Sequence, residues 1–165
     1  MGVNQWLERM YASSSTRPPK RLIRAVGALH RFVIVKTGGR FGSDLLDRPI
    51  LLLRTTGCRS SKQRTQPLMF VREADCFLVA ASFGGHDHDP SWLTNLRANP
   101  QASIVIEGRE LPVVATIAPP DERERLWPRF PALFAAYEKY QHSTERTIPV
   151  VRLCPREVSA VPRSV

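Results

Sequence analysis

Short apolar runs set between turn residues dominate the middle of this chain. Residues 49–53, PILLL, are bounded by a proline and by Thr55, Thr56 and Gly57, which reads as a buried strand. Residues 67–72 and 76–82 flank Glu73-Ala74-Asp75, a segment with the length and polarity of a hairpin turn. A second hairpin is predicted over 102–106 and 111–118, around Glu107-Gly108-Arg109-Glu110, and 148–153 is the last strand. Strands joined by tight turns predict an antiparallel sheet. Six of them close most economically into a small barrel, which leaves no exposed edge. The expected class is therefore α+β, mainly β.

Other stretches change to the helical period. Between residues 20 and 33, Leu22, Val26, Leu29 and Val33 fall at three- and four-residue steps, joined by Ile23 and Phe32, with cations mostly on the other side. This segment either packs on the domain or lies on an anionic membrane surface. Residues 4–12 predict a short helix and 13–19 a linker. A helix is also expected over 91–99, with Pro90 at its first turn, Trp92, Leu93 and Leu96 inward, and Asn99-Pro100 stopping it. Asp121 and Glu122 open an acidic helix start that suits the helix dipole. That helix kinks near Pro128 and Pro131 and runs to about Tyr140. The domain reading is a basic amino-terminal segment (1–40), one barrel domain (41–155) and a tail (156–165).

Charge sharpens this picture. The chain has 165 residues and a net charge of +9. Residues 1–40, 41–72 and 73–165 carry about +7, +4 and −2 by count, so the partner of the amino-terminal half is anionic. The cations are not interleaved with stacking aromatics, which argues against a nucleic-acid partner. No apolar run approaches a membrane span, and the first twenty residues lack a signal-peptide core. The expected address is cytoplasmic, peripheral on the inner face of the plasma membrane if the basic segment meets lipid. Cys58, Cys76 and Cys154 are odd in number and far apart, so reduced thiols are expected.

The chemistry concentrates in residues 51–70, LLLRTTGCRSSKQRTQPLMF. Arg54, Arg59, Lys62 and Arg64 stand there with no acid, beside Thr55, Thr56, Ser60, Ser61 and Thr65. Such a loop predicts an anion site, because cations, hydroxyls and backbone amides are the standard donors to phosphate and carboxylate. His86-Asp87-His88-Asp89 is tempting as a metal site, but alternating neighbours in a loop do not converge on one ion, and no metal is assigned. No GxGxxG follows a strand, so a dinucleotide fold has no support.

Four pieces in order carry a resemblance: LLLRTTGCRSSKQRTQPLMF, VAASFGGHDHDPSWLTNLRANP, WPRFPALFAAYEKYQ and ERTIPVV. Over about two thirds of the chain it resembles the deazaflavin-dependent nitroreductase family, split β-barrel oxidoreductases that use coenzyme F-420. The resemblance implies hydride transfer from the reduced deazaflavin, which has carbon in place of a flavin's N5, to a quinone, nitro or enone acceptor. It implies that Thr56, Gly57, Arg59, Lys62 and Arg64 hold the phosphate and oligoglutamate tail. Pro67 and Met69 would line the deazaflavin, Ala80, Ala81, Ser82, Phe83 and Gly84 would run beside the ring, and Ser91, Trp92, Leu93 and Asn95 would close over it. Phe134, Tyr137 and Tyr140 would line the acceptor pocket, with Tyr137 and Ser82 as catalytic residues. Three positions depart from the family pattern: Cys58 and Phe83 stand where it has cations, and Ser61 where it has a glycine. An FMN-binding split-barrel oxidoreductase shares the architecture, and a non-catalytic cofactor- or lipid-binding protein remains an alternative. A homodimer is compatible with either.

Overall fold

The computed structural model describes residues 49–156. The amino-terminal helix, its membrane or lid role, the first domain boundary and the tail lie outside the described residues. Seven strands form one antiparallel sheet: β1 Ile50–Thr56, β2 Gln63–Met69, β3 Val71–Glu73, β4 Cys76–Ala80, β5 Gln101–Ile106, β6 Arg109–Ile117 and β7 Val150–Pro155. Their order is β2-β1-β5-β6-β7-β4-β3. Helix α1 (Ser91–Ala98) connects β4 to β5, and α2 (Pro120–Leu126), α3 (Arg129–Leu133) and α4 (Ala136–His142) connect β6 to β7. The outermost strands β2 and β3 are joined by Phe70 alone, so the sheet curls round on itself as a split barrel.

The expected count of six strands becomes seven because the predicted strand 67–72 divides at Phe70. Its first part pairs with β1 and its second with β4. The long third helix is also divided. It breaks after Leu126 ahead of Pro128, and again at Phe134, whose backbone is extended (φ −151°, ψ 107°). Pro131 causes no kink, since it sits in the first turn of α3, where a missing amide costs nothing.

The sheet has an apolar core on each side. Along β1, Leu51 and Leu53 point inward with Val79, Ile104, Val113, Val151 and Leu153, and α1 closes this inner core with Trp92, Leu93 and Leu96. On the outer face of β4 and β7, Leu78, Ala80 and Val150 pack under Leu126, Phe130 and Tyr137. An ionic cluster ties the same helices down: Arg152 on β7 bridges Glu73 at 2.6 Å and Glu122 on α2, and Arg129 also reaches Glu73. The Arg152 hydrogen bond holds the Glu73 carboxyl below its ordinary value of 4.5.

The cysteines correct the sequence reading. Phe77 pairs with Leu153 across β4 and β7, and one step further Cys76 and Cys154 form a disulfide. Separation along the chain hid a pair that the ladder sets face to face; only Cys58 is a free thiol among the described residues. The cross-link closes a loop of 78 residues. Replacing both cysteines with serine is expected to lower stability by about 2–4 kcal/mol through a less restricted unfolded chain. Guanidinium unfolding of the two forms without reductant checks this, and superimposable curves would refute it.

Candidate cofactor and acceptor site

Antiparallel pairing decides which connections meet. Thr56 ends β1 opposite Gln63, Ala80 ends β4 opposite Val150, and β6 ends at Ile117 opposite Val151. The β1–β2 loop, residues 81–100 and residues 118–149 therefore all leave the barrel at one end. The tight turns at Ala74-Asp75 and Glu107-Gly108 occupy the other. The four stretches quoted for the resemblance thus gather at a single rim.

The basic loop is shorter than the sequence suggests, because Thr55 and Thr56 pair with Arg64 and Gln63 as strand. What remains, residues 57–62, is a tight turn: the Gly57 amide donates to the Lys62 carbonyl (2.9 Å), and the Ser60 and Ser61 amides donate to the Gly57 carbonyl (3.2 and 2.8 Å). Glycine suits position 57, where a Cβ would lie 2.8 Å from Ser60 Oγ and 3.2 Å from the Lys62 carbonyl oxygen, so a larger residue would make both give way. Ser61 takes a left-handed backbone (φ 54°), which is the physical reason a glycine suits this position better. Asn95 of α1 pins the turn from below. Its buried amide donates to Thr55 Oγ1 and accepts from the Cys58 amide, both at 3.0 Å.

The side chains of Arg59, Lys62 and Arg64 are exposed, and no acid partners them among the described residues. The Arg59 amide likewise meets no acceptor there. Five arginines elsewhere are matched with acids: Arg97 and Arg146 with Asp89, and Arg125, Arg129 and Arg152 with Glu73. Arg54 belongs to that second group, which corrects its place in the anion loop. It lies on the outer face of β1 and bonds Glu110 of β6, which also accepts from Ser103 Oγ.

The second wall, residues 81–89, is held by a residue that the sequence reading quoted within ERTIPVV but gave no role. The Arg146 guanidinium donates to the carbonyls of Ala81 (2.9 Å), Ser82 (3.0 Å) and His86 (2.8 Å) and to Asp89 Oδ1 (3.0 Å). An arginine after a turn carries no sequence mark of such a role; only its fourfold geometry shows it. Gly85 (φ 79°) lets this wall touch α4, for a Cβ would stand 2.9 Å from the Tyr140 carbonyl oxygen. Ser82 caps no helix with its side chain, and its half-buried hydroxyl has no partner among the described residues. Phe83 and Gly84 are exposed.

Tyr137 is the hub of an aromatic cluster, with ring centroids 5.5 Å from Phe130, 5.8 Å from Tyr140, 6.1 Å from Phe134 and 6.3 Å from Trp127. Burial pushes its phenol far above the usual tyrosine range. No hydrogen bond to its hydroxyl is made among the described residues, an unusual state for a buried polar group. The other predicted residues divide. Trp92, Leu93 and Ala81 belong to the inner core, Met69 and Ala80 to the outer one, Pro67 pairs with Leu52, and Ser91 is exposed at the start of α1. No three metal-ligating side chains converge among the described residues; Asp89 serves Arg146 and Arg97 instead.

A curled antiparallel sheet with a basic turn and an aromatic helix cluster at one rim defines a split-barrel protein. Residues 28–155 match the family model described as F420H(2)-dependent quinone reductase, and the chain belongs to that family. It is 36% identical over 160 residues to the F420H(2)-dependent quinone reductase Rv1261c of Mycobacterium tuberculosis, covering 94% of this chain and all of that one. Among solved structures, an F420-H2 dependent reductase (FDR-A) matches with a TM-score of 0.59 at 39% identity, over 64% of this chain and 94% of that one. A structure described as a domain-swapped dimer matches with a TM-score of 0.61 at 36% identity, over 82% and 99%. Membership in this family decides between the two cofactors in favour of F-420 over FMN. No described helix is long and apolar enough to cross a membrane.

The left-handed Ser61 yields a prediction about the turn itself. Ser61→Gly removes a side chain from an unfavourable conformation and is expected to raise stability by about 1 kcal/mol. The midpoint of urea unfolding measures it; a lower midpoint would mean that the serine side chain contributes more than the strain costs.

Proposed function

We propose that this chain holds F-420 through Arg59, Lys62 and Arg64 and reduces a quinone-type acceptor beside Tyr137 and Ser82. The observation that carries the first half is the unpaired charge of the 57–62 turn and Arg64, three cations clustered in sequence with no acid partner among the described residues. A phosphodiester followed by glutamate carboxylates is the complement of three such cations and a free backbone amide. The residues present therefore fit the coenzyme. Asn95 keeps the turn in place, so little ordering is left to be done on binding.

The bound deazaflavin supplies a hydride. The chain's own residues handle position and protons. The Tyr137 Oη is protonated across the physiological range, as an ordinary phenol is, and burial only raises its pKa further, so it is available as a hydrogen-bond donor to a developing oxyanion. Ser82 Oγ is a second unengaged donor, on a wall fixed by Arg146. Trp127, Phe130, Phe134 and Tyr140 around the phenol form an apolar setting that disfavours water and strengthens such a bond.

The cofactor half is tested by Arg59→Ala, Lys62→Ala and Arg64→Ala combined. Each charge-assisted bond is worth roughly 1.5–3 kcal/mol. Fluorescence titration with oxidised F-420 should show at least a hundredfold loss of affinity, shrinking at high salt. Unchanged affinity sinks the reading. For the acceptor half, Tyr137→Phe is expected to lower kcat about a hundredfold with F-420 affinity retained. Turnover within about threefold on several quinones would make Tyr137 a packing residue only.

A further inference from the structure

Phe83, His86 and His88 form an exposed triad of rings at the same rim. The centroid of Phe83 lies 4.9 Å from His86 and 5.0 Å from His88, and the two imidazoles stack at 5.7 Å with an interplanar angle of 13°. Phe83 is 47% exposed, and its backbone is left-handed (φ 46°). Each property alone is unfavourable. A bulky side chain in this conformation is strained, and a phenyl ring in water forfeits its burial. Glycine or asparagine at position 83 would serve the turn better, so stability does not explain the ring. Nor is the segment loose. Arg146 holds the Ser82 and His86 carbonyls on either side of it, and Gly85 lies hard against the Tyr140 backbone. The rings are therefore presented on a fixed frame that touches α4, the helix carrying Tyr137 and Tyr140.

Strain and exposure maintained on a rigid frame are the marks of a binding surface. We infer that Phe83, backed by His86 and His88, is a stacking platform for the planar ring of the acceptor, and so sets the enzyme's preference for fused or extended quinones. This rests on the quinone-reductase reading above and adds a specificity surface to it. The chemistry is complementary: the face of a phenyl ring carries negative charge density, and a quinone ring is electron-poor. A cation at position 83 would serve an anionic tail and a phenyl ring cannot; the resemblance sets Phe83 beside the cofactor's planar ring instead, and the paired titrations below decide between that ring and the acceptor's.

Menadione, a planar naphthoquinone, is the probe, titrated by calorimetry into the full-length chain alone and with saturating oxidised F-420, which cannot reduce it. Phe83→Leu keeps the apolar bulk but removes the ring and is expected to weaken menadione binding about fivefold. Phe83→Tyr keeps the ring and should stay within about twofold of the parent, as should the F-420 affinity of both variants. His86→Gln with His88→Gln should weaken menadione further in the Phe83→Tyr background. An unmoved menadione affinity in Phe83→Leu overturns the platform. An F-420 affinity that falls by the same factor also overturns it, because the ring then serves the cofactor. A parent chain that fails to bind F-420 overturns the functional reading alone, and the cofactor-free menadione titration still decides the platform.

Discussion

The Arg146 guanidinium is the contact on which the rim depends. Four acceptors, on Ala81, Ser82, His86 and Asp89, converge on one largely buried cation that lies just ahead of the last strand. Three backbone carbonyls of the 81–86 stretch are satisfied there, and hydrogen bonds to a charged donor are about twice as strong as neutral ones. Lysine could not replace it, since a single ammonium lacks the planar spread of donors that four divergent acceptors need. The same cation joins the exit of β4, the approach to α1 and the approach to β7. Loss of it would release three connections together.

A second principle organises the molecule: the two faces of one sheet do different work. The inner core, sealed by α1, holds the barrel in shape and, through Asn95, supports the 57–62 turn. The outer core, on β4 and β7, carries the aromatic cluster with Tyr137. Leu78 and Val79 are neighbours in sequence yet belong to opposite cores, so the two packed layers are separated by the thickness of a single strand.

Much of this was legible in the sequence. Alternation and turn residues identified the strands, and α1 with its inward Trp92, Leu93 and Leu96 was read from Pro90 to Asn99. Unmatched cations marked the basic turn. What escaped has a physical pattern. Phe70 reads as one more apolar residue in a run, and only the pairing of its neighbours with different strands reveals a corner. The Cys76–Cys154 pair depends on the β4–β7 register, a contact between residues 78 apart. Arg54 and Arg64 look alike in the sequence, but strand alternation sends Arg54 to Glu110 on the outer face. Local pattern gives elements; partners across the sheet are set by register, which no single stretch contains.

The tight turns at the far end of the barrel have a practical meaning. Ala74 and Glu107 adopt left-handed backbones there (φ 49° and 51°), on turns with no part in the rim. Loop tips of this kind accept inserted or attached sequence most readily. An affinity handle, a fluorescent reporter or an electrode tether fixed there would leave the opposite mouth pointing into solution. The chain thus has a natural orientation on a surface, with its open end towards whatever electron acceptor is supplied.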